Sequence, residues 1–189
     1  MGDAIFAMVA NHALAPASKL AVEEWAAEDV YLDIEQPIQV QHTYRSMDFL
    51  LEHEAAIQEK VFWATARLMN LTVDLIFFDT TNTYFEMEDP GDSDLLAYGR
   101  SKHKRDDRPQ VTIGLAVTRE SIPVRCWVLP GNQNDAKSVD QIQKDMNDWK
   151  LGNVIWAMDR GMTSEENQRN LQRPGGGSIS WEKNSGGPL

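Results

Sequence analysis

Two aspartates follow runs of apolar residues that are typical of buried β-strands. In LTVDLIFFDTTNTYFE, residues 71–86, five of the six residues at 73–78 are apolar, and Asp79 comes next. In NVIWAMDRGM, an apolar run over residues 154–158 precedes Asp159. Metal-assisted phosphoryl transfer needs carboxylates close together, because each cation must contact both the phosphate and protein oxygens. Asp79 and Asp159 are 80 residues apart, far enough to end neighbouring strands of one sheet.

The same pattern has a purely structural alternative. Asp79 could cap a turn with Thr80 and Thr81, and each aspartate could simply terminate its strand. The functional interpretation places both side chains at the carboxyl edge of a sheet, where α/β proteins bind ligands and metals. Two carboxylates at that edge repel each other, and a bound cation relieves the repulsion.

The elements that would position these acids follow from hydrophobic periodicity. Residues 4–70 have apolar side chains at spacings near three and four, which predicts a helical layer. The segment 71–86 is interpreted as a pair of strands, with the first ending at Asp79. Further along, the sequence predicts two strands in PQVTIGLAVT and IPVRCWVLP, a helix with Ile142, Met146 and Trp149 on one stripe, and a strand at 154–158.

Composition limits the architecture. A chain of 189 residues that is 42% hydrophobic can bury one sizeable core. Its first uncharged run ends at Lys19, too short to span a bilayer, so we expect a cytoplasmic protein with no membrane partner. The single cysteine, Cys126, cannot form an internal disulfide and fits a small core residue.

Charge is unevenly distributed. Residues 1–99 contain four basic and eighteen acidic side chains, whereas residues 100–189 contain fourteen basic and eleven acidic ones. The basic residues concentrate in RSKHKRDDR at 100–108, a plausible phosphate-contacting loop. The alternative is an ordinary solvated surface. Candidate DNA contacts are Lys102, Lys104, Arg105 and Arg108, together with Arg160 beside the second aspartate; Arg160 could instead pair with a carboxylate.

Several blocks of the sequence resemble a known family. FFDTTNTYFE, SKHKRDDRPQVTIGLAVTRESIPVRCWVLPGNQNDAKSV and NVIWAMDRGMTSEEN are similar to blocks of IS4-type transposases of the IS1634-related branch. The resemblance extends from about Ala4 to Leu171. It implies an RNase H-like DDE catalytic domain that acts on transposon DNA ends with Mg²⁺ or Mn²⁺. By motif match, Asp79 would be the first catalytic and metal-binding acid and Asp159 the second.

The resemblance also implies residues that this sequence lacks. The third acid of the family is a Glu in a Tyr-Arg-Glu-Lys-like motif on a later helix, and no such motif occurs before Leu189. Glu182 lies in a Gly-rich tail, and Glu165 and Glu166 fit the first turn of a helix. We therefore expect a truncated copy, clipped at both ends, with the missing helix encoded downstream. Self-association is left open.

Two other functions compete with this one. Haloacid-dehalogenase-type phosphatases use Asp-x-Asp-x-Thr, but Thr81 stands where the second aspartate should be. A non-catalytic remnant that binds DNA weakly is the other alternative. The predicted fold class is α/β, an RNase H-like mixed sheet with flanking helices preceded by a helical N-terminal region. The predicted organisation is a helical region at 1–70, an incomplete catalytic core at 71–172 and a poorly ordered Gly-rich tail at 173–189.

Overall fold

A computed structural model describes residues 1–34, 36–100, 104–133, 142, 144–146, 148–149, 151 and 154–158, and only the backbone of Asp159 and of residues 177–181. The helices and strands are, in chain order, α1 (Gly2–Leu14), α2 (Val22–Glu28), α3 (Val40–Glu52), α4 (Glu54–Leu68), β1 (Leu75–Tyr84), β2 (Ala97–Tyr98), β3 (Pro109–Thr118), β4 (Pro123–Pro130), β5 (Ile155–Asp159) and β6 (Gly177–Trp181). The predicted helical N-terminal region is confirmed.

The chain divides into two compact units, Met1–Ile57 and Gln58–Leu189. In the first unit, helix α3 begins at a reciprocal capping contact, in which His42 Nδ1 accepts the Gln39 N–H at 3.3 Å. Glu23 Oε2 accepts the next free amide, Val40 N–H, at 2.8 Å. The core of this unit consists of small and aliphatic side chains, namely Ala4, Ala7, Met8, Val22 and Ile38.

The second unit is built on one mixed sheet. Its strand order is β2-β3-β1-β5-β6, and β4 pairs with β3. Strand β1 lies antiparallel to β3 and parallel to β5, and β5 is parallel to β6. This mixed sheet, with four helices before it, confirms the predicted α/β fold class with a mixed sheet. Strand β6, Gly177–Trp181, lies within the Gly-rich tail, and the rest of 173–189 lies outside the described residues.

Strand β1 differs from the prediction in its length and in which of its faces are buried. It is one strand of ten residues, not a pair. Burial alternates along it, because only one face of the strand lies against the core, so the expectation of a strand covered on both faces is wrong. Ile76 and Phe78 are buried, whereas Phe77 between them is 44% exposed.

Aromatic residues fill the core beneath this sheet. The ring of Phe78 meets Trp127 edge-on, with centroids 5.9 Å apart, and Phe62 of α4 stacks on Trp149 at 6.3 Å. Gly114 on β3 packs closely here, because a Cβ at that position would lie 3.0 Å from the Phe78 ring. Ile142 and Met146, predicted on one helical stripe with Trp149, are also buried in this core.

The structure places most of α4 with the sheet. Phe62 and Ala66 of that helix belong to the core of the Gln58–Leu189 unit, whereas the sequence assigned residues 1–70 to a separate helical region. The difference arises because Phe62 is nearly fully buried under the sheet, a contact that local periodicity does not reveal. No helix within the described ranges has the length and apolar content that a membrane crossing needs.

Candidate active site

Asp79 lies in the middle of β1 on its exposed face. Its Oδ1 accepts the Thr80 N–H at 2.7 Å. The expectation that the strand ends at Asp79 is wrong, because β3 pairs with β1 as far as Tyr84 opposite Gln110. The same pairing rules out a turn at Thr80 and Thr81. Asp79 is therefore held by a continuous antiparallel ladder on one side.

Strand β5, the parallel neighbour of β1, ends at Asp159, next to Asp79 in the register of the two strands. The pairing between β1 and β5 runs as far as Phe78 opposite Met158, and the next residues on the two strands are Asp79 and Asp159. Neighbouring strands are about 4.8 Å apart. On its other side, Asp159 pairs with Trp181 of β6. The backbone register thus brings the two aspartate positions side by side, while their roles as catalytic acids and metal ligands stay a prediction.

The donors at this point suit a hard divalent cation. Mg²⁺ is commonly held by one or two carboxylates together with waters and substrate phosphates, so two aspartates on adjacent strands fit such a site. Among the side chains that the structure describes, no group of three or more His, Cys, Asp or Glu residues could hold a metal ion. The side chain of Asp159 lies outside that set. The residues present therefore fit weak binding of Mg²⁺ or Mn²⁺.

The surroundings of Asp79 are open and partly apolar. Leu115 of β3 lies directly opposite Asp79 and is 40% exposed, and Phe77, two residues earlier on the same face, is also exposed. The other face of the strand is buried at Phe78 and Thr80. A large substrate could approach Asp79 across this face without displacing the core.

Two arginines of the predicted basic run, Arg105 and Arg108, belong to a network of ion pairs. Arg105 Nη1 is 3.2 Å from Glu86 Oε1, and Arg105 Nε is 3.0 Å from Asp107 Oδ1. Arg108 Nε lies 3.2 Å from Glu86 Oε2 and 3.6 Å from Asp107 Oδ2. The hydrogen bond from Arg105 lowers the pKa of Asp107 below its ordinary value, and the same bond is the main cause of a raised Arg105 pKa.

Of the other predicted DNA contacts, Lys104 is among the described residues. Lys104 is exposed and has a positive φ of 58°. Lys102 and Arg160 lie outside the described residues. The role of the basic residues in binding DNA stays a prediction.

Sequence reasoning missed two residues that organise the basic run. Glu86 bridges both arginines, and Arg105 Cζ lies 5.0 Å from the centre of the Tyr84 ring. The antiparallel pairing of β1 with β3 is the feature that locates Glu86 beside the basic run. Because Tyr84 pairs with Gln110, the residues just after β1 must lie beside those just before β3.

Comparisons with known proteins give structural similarity only. No protein-family model matches the chain, and no curated protein matches it in sequence. A piggyBac transposase synaptic complex with hairpin DNA is similar with a TM-score of 0.49 and 13% identity, over 96% of this chain and 40% of that one. A Mos1 transposase paired-end complex with left transposon end gives 0.36 and 11%, over 94% and 57%. A Mos1 mariner paired-end complex with Mn gives 0.31 and 12%, over 90% and 56%.

The structural neighbours are therefore transposases, and this chain spans between two fifths and three fifths of their lengths. At such low identity the similarity assigns no role to any residue. The IS4-type, IS1634-related branch is not confirmed by these comparisons and stays a prediction.

Proposed function

We propose that this chain is part of the catalytic core of an IS4-type DDE transposase, of the IS1634-related branch, that cleaves and joins DNA strands. The observation that carries the proposal is the parallel pairing of β1 with β5, which brings Asp79 and Asp159 to adjacent positions. The residue-by-residue resemblance gives those two positions their roles. The proposed partner is DNA, namely the ends of a transposon.

In this mechanism Asp79 and Asp159 would hold the divalent ions, Mg²⁺ or Mn²⁺. When bound, such ions activate water or a DNA 3′-hydroxyl and neutralise charge on the leaving oxygen. The chain contributes positioning. The ladder to β3 and the Thr80 N–H would fix Asp79, and a phosphodiester would approach it across the exposed Phe77 and Leu115 side chains. The basic residues that would hold the DNA backbone are Lys102, Lys104, Arg105, Arg108 and Arg160.

The competing functions make different demands on β1. A haloacid-dehalogenase-type phosphatase would need a second acid at position 81, where Thr81 stands in the exposed part of the strand. A non-catalytic remnant would need neither metal nor adjacent acids. Metal binding that depends on both aspartates therefore separates the transposase proposal from these two.

The test measures metal binding, because the proposal assigns the metal to carboxylates from both strands. Mn²⁺ binding is followed by titration calorimetry, and Fe²⁺ with ascorbate and peroxide is used to cut the polypeptide next to the bound metal. We expect cuts near both Asp79 and Asp159. Asp79→Asn and Asp159→Asn should each weaken Mn²⁺ binding and abolish both cuts.

The matched control is Asp74→Asn, which removes an exposed carboxylate just before β1 that is paired with Arg119 at 2.8 Å. This variant should bind Mn²⁺ like the unaltered chain. If either site variant binds Mn²⁺ normally, or if the cuts occur at only one of the two strands, the shared metal site is wrong.

A further inference from the structure

Two arginines in the segment before β3 converge on one carboxylate. Glu86 Oε1 faces Arg105 at 3.2 Å, and Glu86 Oε2 faces Arg108 at 3.2 Å. Each oxygen of a single anion thus meets one guanidinium group. This is also the arrangement in which two arginines hold two oxygens of a phosphate.

Arg105 is anchored on the Tyr84 ring, and the anions of this cluster are more exposed than its cations. The Arg105 side chain is 34% exposed and stacks on the Tyr84 ring, and that of Arg108 is 28% exposed. Glu86 and Asp107 are 61% and 62% exposed. Exposed ion pairs contribute little to stability, so the two carboxylates can be displaced at low cost while Arg105 stays on the Tyr84 ring.

The geometry at Arg108 is incomplete. Its Nε lies within ion-pair distance of Glu86 but lacks hydrogen-bond geometry, and among the described residues this buried N–H has no acceptor. An unsatisfied buried donor is costly, and another acceptor would remove that cost. Arg108 is therefore not optimally bound by the carboxylates around it.

We infer that Arg105 and Arg108 form a binding site for one DNA phosphate, and that Glu86 occupies this site until DNA displaces it. Asp107, which also pairs with Arg105, competes with the DNA phosphate in the same way. Tyr84 is five residues beyond Asp79 on β1, about 17 Å along the strand, so a short length of DNA could contact both places. The inference rests on the proposed function only in taking DNA as the polyanion.

The test measures the affinity for fluorescein-labelled duplex DNA of mixed sequence by fluorescence anisotropy, in EDTA so that no metal contributes. Removing the competing charge with Glu86→Gln should tighten binding roughly two- to fivefold, the range set by one exposed ion pair. Replacing both arginines by Ala should weaken it and make the log-log salt slope shallower by about 1.8, from about 0.9 per phosphate.

Asp74→Asn is the control for net charge, because Asp74 is also an exposed acid paired with an arginine. It removes the same charge away from the cluster and should leave the affinity within experimental error. Asp107→Asn is a second, independent variant and should tighten binding as Glu86→Gln does. Thermal melting of each variant verifies that it is folded.

Three outcomes would overturn the inference. These are weaker DNA binding by Glu86→Gln, equal tightening by Glu86→Gln and Asp74→Asn, and a salt slope unchanged by the double arginine variant. Because the assay is made in EDTA, its result does not depend on the metal site. If these DNA-binding results contradict the phosphate site, the proposed metal site can still be correct. If the Mn²⁺ experiments contradict the metal site, the phosphate site can still be tested.

Discussion

Gln58 of α4 forms two hydrogen bonds with the backbone of Cys126 on β4. Its Oε1 accepts the Cys126 N–H at 2.7 Å, and its Nε2 donates to the Cys126 carbonyl at 3.1 Å. Among the described strands β4 pairs with β3 alone, and the Gln58 side chain forms hydrogen bonds with its other edge as a further strand would. We expect Gln58→Leu to lower the free energy of unfolding by about 1–3 kcal/mol, since both backbone groups lose their partner.

Urea unfolding followed by tryptophan fluorescence measures that loss, and hydrogen exchange of the Cys126 amide reports it locally. Lys60→Ala, at an exposed position on the same helix, is the control. Unchanged exchange at Cys126 in Gln58→Leu would show that the pair does not protect the edge.

Close packing at Gly114 gives a second prediction. A methyl group there would lie 3.0 Å from the Phe78 ring, which is itself packed edge-on against Trp127. Gly114→Ala should therefore destabilise the fold by about 1–3 kcal/mol through overpacking. In a Phe78→Leu background the same change should cost less. A double-mutant cycle measures this coupling, and additive costs would contradict the predicted contact.

The polar cluster around Arg125 gives a third prediction. Arg125 lies 5.3 Å from the Trp127 ring centre and 5.0 Å from that of Trp149, and Asp145 accepts the Trp127 indole N–H at 2.8 Å. Asp145 also pairs with Arg125 at 3.3 Å, and both side chains are less than one fifth exposed. Asp145→Ala should cost about 3 kcal/mol, because it leaves a largely buried charge and an indole N–H without their partner.

Thermal and urea unfolding test the loss at Asp145. Asp148→Ala removes an exposed carboxylate from the same segment and should have little effect. Equal losses in the two variants would mean that net charge, and not the buried pair, sets the stability.

The ion pair between Arg105 and Asp107 predicts a pH effect. The Arg105 hydrogen bond lowers the pKa of Asp107 from its ordinary 3.8. A carboxyl group whose pKa is lower in the folded chain stabilises the fold above its unfolded pKa, and that contribution is lost as the pH falls through the folded value. Arg105→Ala should return the Asp107 pKa toward 3.8, as carboxyl NMR titration would show. No movement of the titration would mean that Arg105 does not set it.

The position opposite Asp79 allows a prediction about the candidate active site. Leu115 is the cross-strand partner of Asp79 and is exposed. A lysine there would pair with the carboxylate and compete with a cation, so Leu115→Lys should weaken Mn²⁺ binding. Val128→Lys, at an exposed position on β4, is the control and should bind Mn²⁺ as before. Equal weakening in both variants would indicate a general effect of added positive charge.

The apolar runs of the sequence were enough to predict most of the sheet. The predicted strands in PQVTIGLAVT, IPVRCWVLP and NVIWAMDRGM are present as β3, β4 and β5, because a buried strand must be apolar whatever its partner is. The two-residue strand β2 was missed, since Ala97 and Tyr98 carry no periodic signal of their own. The pattern also placed an aspartate directly after each of two apolar runs; in the structure Asp79 lies in the middle of β1 and Asp159 is the last residue of β5.

Where those strands end and what their side chains meet depended on partners far along the chain. β1 continues past Asp79 to Tyr84 because β3 supplies a hydrogen-bonding ladder, which hydrophobicity does not reveal. Glu86 and Arg105 are 19 residues apart and meet only because β1 and β3 are antiparallel.

By itself, the sequence determined which segments must be buried and which residues carry charge, since both depend on side-chain chemistry alone. The tertiary structure decided pairing, register and exposure. It set Asp79 beside the Asp159 position and turned a basic run into a network with Glu86. The physical reason is that hydrogen bonding between strands and ion pairing between side chains depend on distances that only the folded chain defines.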